Sequence, residues 1–92
     1  MSKREKLRRK LRNNPTDATM EEVETLLSRF DFKLARISGS HYIYEYEQGD
    51  VWKQLIVPLH GRKVKKIYVK KVVGTIDELF PEEVEDGEED NE

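Results

Sequence analysis

From Thr19 onward the apolar positions fall into two periods. Met20, Val23, Leu26, Leu27 and Phe30 recur at helical spacing and give one apolar face. Thr19 is a good helix-starting residue, and Glu22 three positions later completes a capping box. Glu21, Glu22 and Glu24 suit the positive end of the helix dipole. This helix is predicted to end near Asp31. The period then shortens. Residues 32–37, FKLARI, read as a strand, and Ser38-Gly39-Ser40 as a tight connection. In residues 41–47, HYIYEYE, alternation puts Tyr42, Tyr44 and Tyr46 on one face and His41, Ile43 and Glu45 on the other. Gln48-Gly49-Asp50 is a short turn. Residues 51–57, VWKQLIV, form a third strand closed by Pro58, which cannot donate to a ladder. Connections this short make neighbouring strands antiparallel. After a basic loop at 59–65, Val69, Val72, Val73, Ile76, Leu79 and Phe80 give a second apolar helical face, ended by Pro81. That helix is predicted to begin between Lys65 and Tyr68, with a strand over 64–69 as the competing assignment. The fold class is α+β: helix, three-stranded antiparallel sheet, helix.

A chain of 92 residues allows one domain, placed here at 19–80. Leu7 and Leu11 lie four apart and would share a helix face, but two leucines are a thin stripe for core packing. Residues 1–18 are therefore expected to be a solvated, partly disordered basic arm, with a nucleic-acid or membrane-surface contact as the alternative. Residues 81–92 are expected to be an acidic disordered tail.

Charge changes the picture more than composition does. The formal net charge is −2. It conceals seven Lys/Arg against one Glu in residues 1–14, six bases and no acid in 62–71, and eight acids with no base in 82–92. The basic blocks could meet phosphates, and the acidic tail could compete for the same surface or keep the chain soluble. There is no cysteine, so disulfides, thiolate chemistry and Cys-based zinc sites are excluded. The opening MSKREKLRRKLRNN lacks the apolar region of a secretory signal, and no apolar run is long enough to span a membrane. The expectation is a cytoplasmic protein without a membrane role.

The side chains best suited to proton transfer near neutral pH are the two histidines, His41 and His60. Each follows a place where the backbone tightens. Either could deprotonate a ribose 2′-hydroxyl or protonate a leaving oxygen. Arg36, Lys53, Arg62 and Lys63 are candidates to stabilise charge on a phosphorane or to bind RNA, with Lys65 and Lys66 extending the basic surface. Gly39 and Ser40 could offer backbone N–H groups, and Ser40 a hydroxyl, to a phosphate. A histidine at a strand start is also commonly structural. The tyrosine stripe suits either base stacking or packing under a helix. Trp52 reads as a core or partner-interface residue. Two histidines with neither cysteine nor a close carboxylate pair do not make a zinc site. His60-Gly61-Arg62-Lys63 lacks the spacing of a phosphate loop. No cofactor or metal is expected.

At Gly39-Ser40-His41 the sequence resembles the HicA (YcfA-like) toxin family. Glu24-Thr25-Leu26-Leu27 followed by Asp31-Phe32, Arg36-Ile37-Ser38-Gly39-Ser40-His41, and Ile56-Val57-Pro58-Leu59-His60 carry the likeness, across about residues 20–80. The resemblance implies a fold like the double-stranded-RNA-binding domain. It also implies an mRNA-cleaving toxin, an mRNA interferase, with His41 as the catalytic residue and a HicB-like antitoxin as partner. Gly39, Ser40 and His60 would support His41. Where the family carries Gly before the Phe that opens the first strand, this chain carries Asp31, which can take the left-handed conformation at a cost. The function implied is a metal-independent endoribonuclease acting through 2′-hydroxyl attack. The alternative is a non-catalytic RNA- or protein-binding module on the same fold. Self-association is left open.

Overall fold

The computed structural model of the chain describes residues 2–81. Its elements are α1 (Lys3–Asn13), a 3-10 turn (Pro15–Asp17), α2 (Met20–Arg29), β1 (Lys33–Ser38), β2 (His41–Gln48), β3 (Val51–Pro58) and α3 (Lys66–Leu79). The sheet is antiparallel in the order β1-β2-β3. α3 thus begins at Lys66, and residues 64–69 are not a strand. The acidic segment 82–92 lies outside the described residues.

The helix α2 begins as its sequence dictates. The Thr19 hydroxyl accepts from the Glu22 N–H at 3.1 Å, and the Glu22 carboxylate accepts from the Thr19 N–H at 3.1 Å. Two otherwise orphaned donors are satisfied reciprocally. Its far end closes by a Schellman arrangement. Phe32 N–H donates to the Leu27 carbonyl at 2.9 Å and Asp31 N–H to the Ser28 carbonyl at 3.2 Å. Asp31 sits at φ 68°, the left-handed position expected of it.

The helix-facing side of the sheet forms one wall of the core. Tyr44, Tyr46, Leu55 and Val57 are buried there against Val23, Leu26, Leu27 and Phe30 of the α2 segment and Val69, Val72, Val73 and Ile76 of α3. The tyrosine stripe is therefore a packing stripe. Tyr44 and Tyr46 are 2% and 7% exposed and offer no face to a base. Trp52, by contrast, is no core residue: it is 53% exposed.

The expectation of a solvated arm is not what residues 3–18 do. The helix α1 packs against α2 and α3, with Leu11 buried. Arg8 is fully buried and holds the helix in place. It forms a fork onto the Glu5 carboxylate at 3.2 and 2.6 Å, and donates to Asp77 at 3.0 Å and to the Phe80 carbonyl at 2.6 Å. Its guanidinium lies 4.8 Å from the centre of the Phe30 ring. A two-leucine stripe is too narrow to bury a helix by itself; the charge cluster completes the contact.

Candidate active site

His41 opens β2, directly after the turn Gly39-Ser40, and its side chain is exposed. Gly39 takes φ +61°, a conformation that L side chains adopt with strain, so the turn specifically suits glycine. In register, His41 stands between Ser38 of β1 and Pro58 of β3. It shares its sheet face with Ile43 and Glu45, as alternation predicts, and this is the face that carries no helix.

A β-bulge decides which cation joins it. Leu34 opposes Tyr44, but the next paired residue is Arg36, opposite Ile43. Ala35 is the inserted residue. The slip moves Arg36 from the core side to the face of His41. Lys33, opposite Glu45, is on that face as well. Regular alternation in FKLARI would have put Arg36 with Leu34, and no residue in the segment signals the slip.

The second tight segment is tied to the first. Leu59 N–H donates to the Ser40 carbonyl at 2.8 Å. This bond holds the exit of β3, with His60 beyond it, against the turn preceding His41. The basic loop is itself braced. His60 and Lys63 bridge across Gly61-Arg62, where Gly61 has φ +79°. Met20 N–H donates to the Arg62 carbonyl at 2.9 Å and Val64 N–H to the Ala18 carbonyl at 3.0 Å. Arg62, Lys63, Lys65 and Lys66 are all exposed. Lys63 stands 3.5 Å from the Asp17 carboxylate, a solvent-exposed pair that contributes little stability. A backbone lock of this kind leaves no side-chain signature, so Leu59 was not recognisable as part of the arrangement from sequence.

Lys53 goes elsewhere. It pairs with Tyr46 on the helix side of the sheet, five positions from the strand end beside His41, and its ammonium lies 3.2 Å from Glu78. An open cleft of about 400 Å³ is lined by Thr19, Met20, Glu21, Leu59, Gly61 and Arg62. It borders the basic loop, and His41 is not in its lining. Among the described residues, no group of three or more His, Asp or Glu is placed to hold a metal ion.

A family model described as the HicA toxin of bacterial toxin–antitoxin matches residues 20–77. The chain belongs to the HicA toxin family. Gly39-Ser40-His41, the bulge, His60 and the basic loop all fall within the matched span, whereas α1 precedes it. That family is described as the toxin of a bacterial toxin–antitoxin pair. Chicken (Gallus gallus) plastin-1 is 36% identical over 67 residues, which is 73% of this chain and 10% of plastin-1. The chain thus spans about 10% of the length of that curated relative. No solved structure matches the chain. Among the described residues, no helix is long and apolar enough to cross a membrane.

Proposed function

We propose that this HicA-family chain is an endoribonuclease that cleaves mRNA at His41 without needing a metal. The observation that carries the reading is the Leu59–Ser40 bond of 2.8 Å, which joins an exposed histidine to a braced loop of exposed cations. His41 takes the proton of a ribose 2′-hydroxyl. The 2′-oxygen attacks phosphorus, the bond to the 5′-oxygen breaks, and the leaving oxygen takes a proton from His60 or water. The products carry a 2′,3′-cyclic phosphate and a 5′-hydroxyl. Arg36 and Arg62 supply positive charge for the developing phosphorane, and Lys63, Lys65 and Lys66 hold the RNA backbone. The Gly39-Ser40 turn holds His41 in position and offers backbone N–H groups to a phosphate.

The remainder of the His41 face favours a protein. Glu45 and Glu47 lie there beside exposed Trp52 and Ile56, an acidic and apolar surface that suits a protein better than a polyanion. A HicB-like antitoxin covering this face would shut off His41.

The deciding experiment is RNA cleavage in EDTA by the folded, antitoxin-free chain beside its His41→Ala variant. Cleavage by the parent alone, leaving 2′,3′-cyclic phosphates, is the expected result. New 3′-hydroxyl ends would exclude the 2′-hydroxyl route. Absence of cleavage by either protein would leave a binding module. That second reading draws on one feature: no side-chain hydrogen bond or ion pair from another described residue orients the His41 ring.

A further inference from the structure

The two edges of the sheet are built differently. An exposed, regular strand edge invites pairing with another chain, and proteins commonly block it with bulges, prolines or charges. β1 has such protection: the bulge at Ala35, with Lys33 and Arg36 beside it. β3 has none along Val51–Val57. Its register with β2 is unbroken from Val51 to Pro58, and β2 is its one strand neighbour among the described residues. Its one charged side chain, Lys53, is turned to the helix side and held by Glu78 at 3.2 Å.

We propose that the β3 edge pairs with the β3 edge of a second copy of this chain, antiparallel about a two-fold axis at Gln54. The strand is self-complementary about that point. Val51 stands opposite Val57 of the second copy, Trp52 opposite Ile56, Lys53 opposite Leu55, and Gln54 opposite Gln54. Trp52 and Ile56 are 53% and 46% exposed in the single chain. Directly opposed, their side chains start about 5 Å apart and cover one another. The outer row of Trp52, Gln54 and Ile56 is uncharged, so no like charges meet.

Neighbouring registers are poorer. Moving the axis to Lys53 sets two ammonium groups against each other. Moving it to Leu55 leaves Val51 unpaired and brings in Pro58, which has no N–H to give. The axis at Gln54 uses the whole run from Val51 to Val57. The result is one continuous sheet of six strands, with both copies' His41 residues on the same face at opposite ends, each open to a substrate. One strand pair and a few side chains fall short of the roughly 1,200 Å² typical of stable complexes, so the dimer dissociates in the micromolar range.

The test uses the full chain in sedimentation equilibrium from about 1 µM to about 500 µM. The parent is expected to associate reversibly to a dimer. Gln54 is exposed, so Gln54→Lys and Gln54→Glu leave the fold intact, as circular dichroism would check. Each alone is expected to weaken the dimer by about fivefold or more, because like charges then face each other across the axis. An equimolar mixture of the two regains association as a mixed dimer. The chain has no cysteine, so mild oxidation of Gln54→Cys reports the same contact as a covalent dimer, and Glu47→Cys on β2 does not. A parent that stays monomeric throughout the range overturns the proposal. Association unaffected by Gln54→Lys overturns it as well. A monomeric parent whose antitoxin affinity falls on Gln54→Lys assigns the edge to the antitoxin and not to a second copy.

Discussion

Arg8 Nη1 lies 3.0 Å from Asp77 Oδ1, joining α1 to the last turn of α3. The same guanidinium grips Glu5 and the Phe80 carbonyl while 0% exposed, and Glu5 is 3% exposed. Removing one member of such a cluster leaves an uncompensated buried charge, which typically costs about 3–5 kcal/mol. Arg8→Ala is expected to lose stability in that range in urea unfolding. Replacing both buried partners with apolar residues (Glu5→Leu with Arg8→Met) is expected to cost clearly less than Arg8→Ala alone. A loss below about 1 kcal/mol in Arg8→Ala would mean that α1 is only loosely held.

Asp31 holds φ 68° at the end of α2, where two backbone bonds close the helix. Glycine meets no penalty in that conformation, whereas a residue with Cβ does. Asp31→Gly is expected to raise the unfolding free energy by about 0.5–1 kcal/mol, with an unchanged urea m-value. A decrease would show that the carboxylate contributes something that the backbone geometry does not reveal.

The capping box gives the fold an acid-sensitive point. Lys10 donates to the Glu22 carboxylate at 2.6 Å, and the Thr19 backbone N–H donates as well. These bonds, the Lys10 one first, hold the Glu22 carboxyl below the usual carboxylate range. Its contribution is therefore present above the ordinary glutamate pKa and is lost as pH falls through the lower folded value. Glu22→Gln is expected to show a shallower loss of stability below about pH 4.5 than the parent, seen in urea midpoints collected at each pH.

Tyr44 makes the converse prediction. Burial pushes its hydroxyl above the usual phenol range, and the neighbouring Glu24 carboxylate, which accepts a hydrogen bond from it at 3.1 Å, adds to the shift. The stabilising difference is present below the unfolded phenol pKa and declines as pH rises beyond it. Parent stability should fall above about pH 10, and Tyr44→Phe should flatten that fall after a loss of about 1 kcal/mol at neutral pH. Stability curves that run parallel above pH 10 would rule this out.

Helix–sheet order, strand faces and the second helix were legible because each rests on a simple period. Met20 to Phe30 and Val69 to Phe80 carry helical spacing, and the HYIYEYE run carries strict alternation. Three features were not legible, for separate physical reasons. The docking of α1 depends on Arg8 meeting Asp77 and Phe80 across the chain, and charged residues in a basic run read as solvated. The bulge at Ala35 has no residue signature, yet it changes the face of Arg36. The Leu59–Ser40 lock is backbone to backbone, so no side chain announces it. His41 was singled out in the sequence as a candidate; the residues that stand near it in the fold are set by these unannounced contacts.

The basic loop makes the last prediction, which depends on the RNA reading. Arg62 is exposed, its carbonyl fixed to Met20 N–H at 2.9 Å, while Lys63 stands near Asp17. A cation that neutralises a phosphate releases a counterion, so each such contact adds about 0.7 to the slope of log K against log salt for single strands. Arg62→Ala with Lys63→Ala is expected to lower that slope by about 1.4, in a catalytically silent His41→Ala background, with weaker RNA binding at low salt. Lys53→Ala serves as the comparison, because Lys53 lies on the helix side and pairs with Glu78. It is expected to leave the slope unchanged. Equal slopes in all three proteins would place RNA off the loop altogether, and a drop in Lys53→Ala alone would move it to the helix side of the sheet.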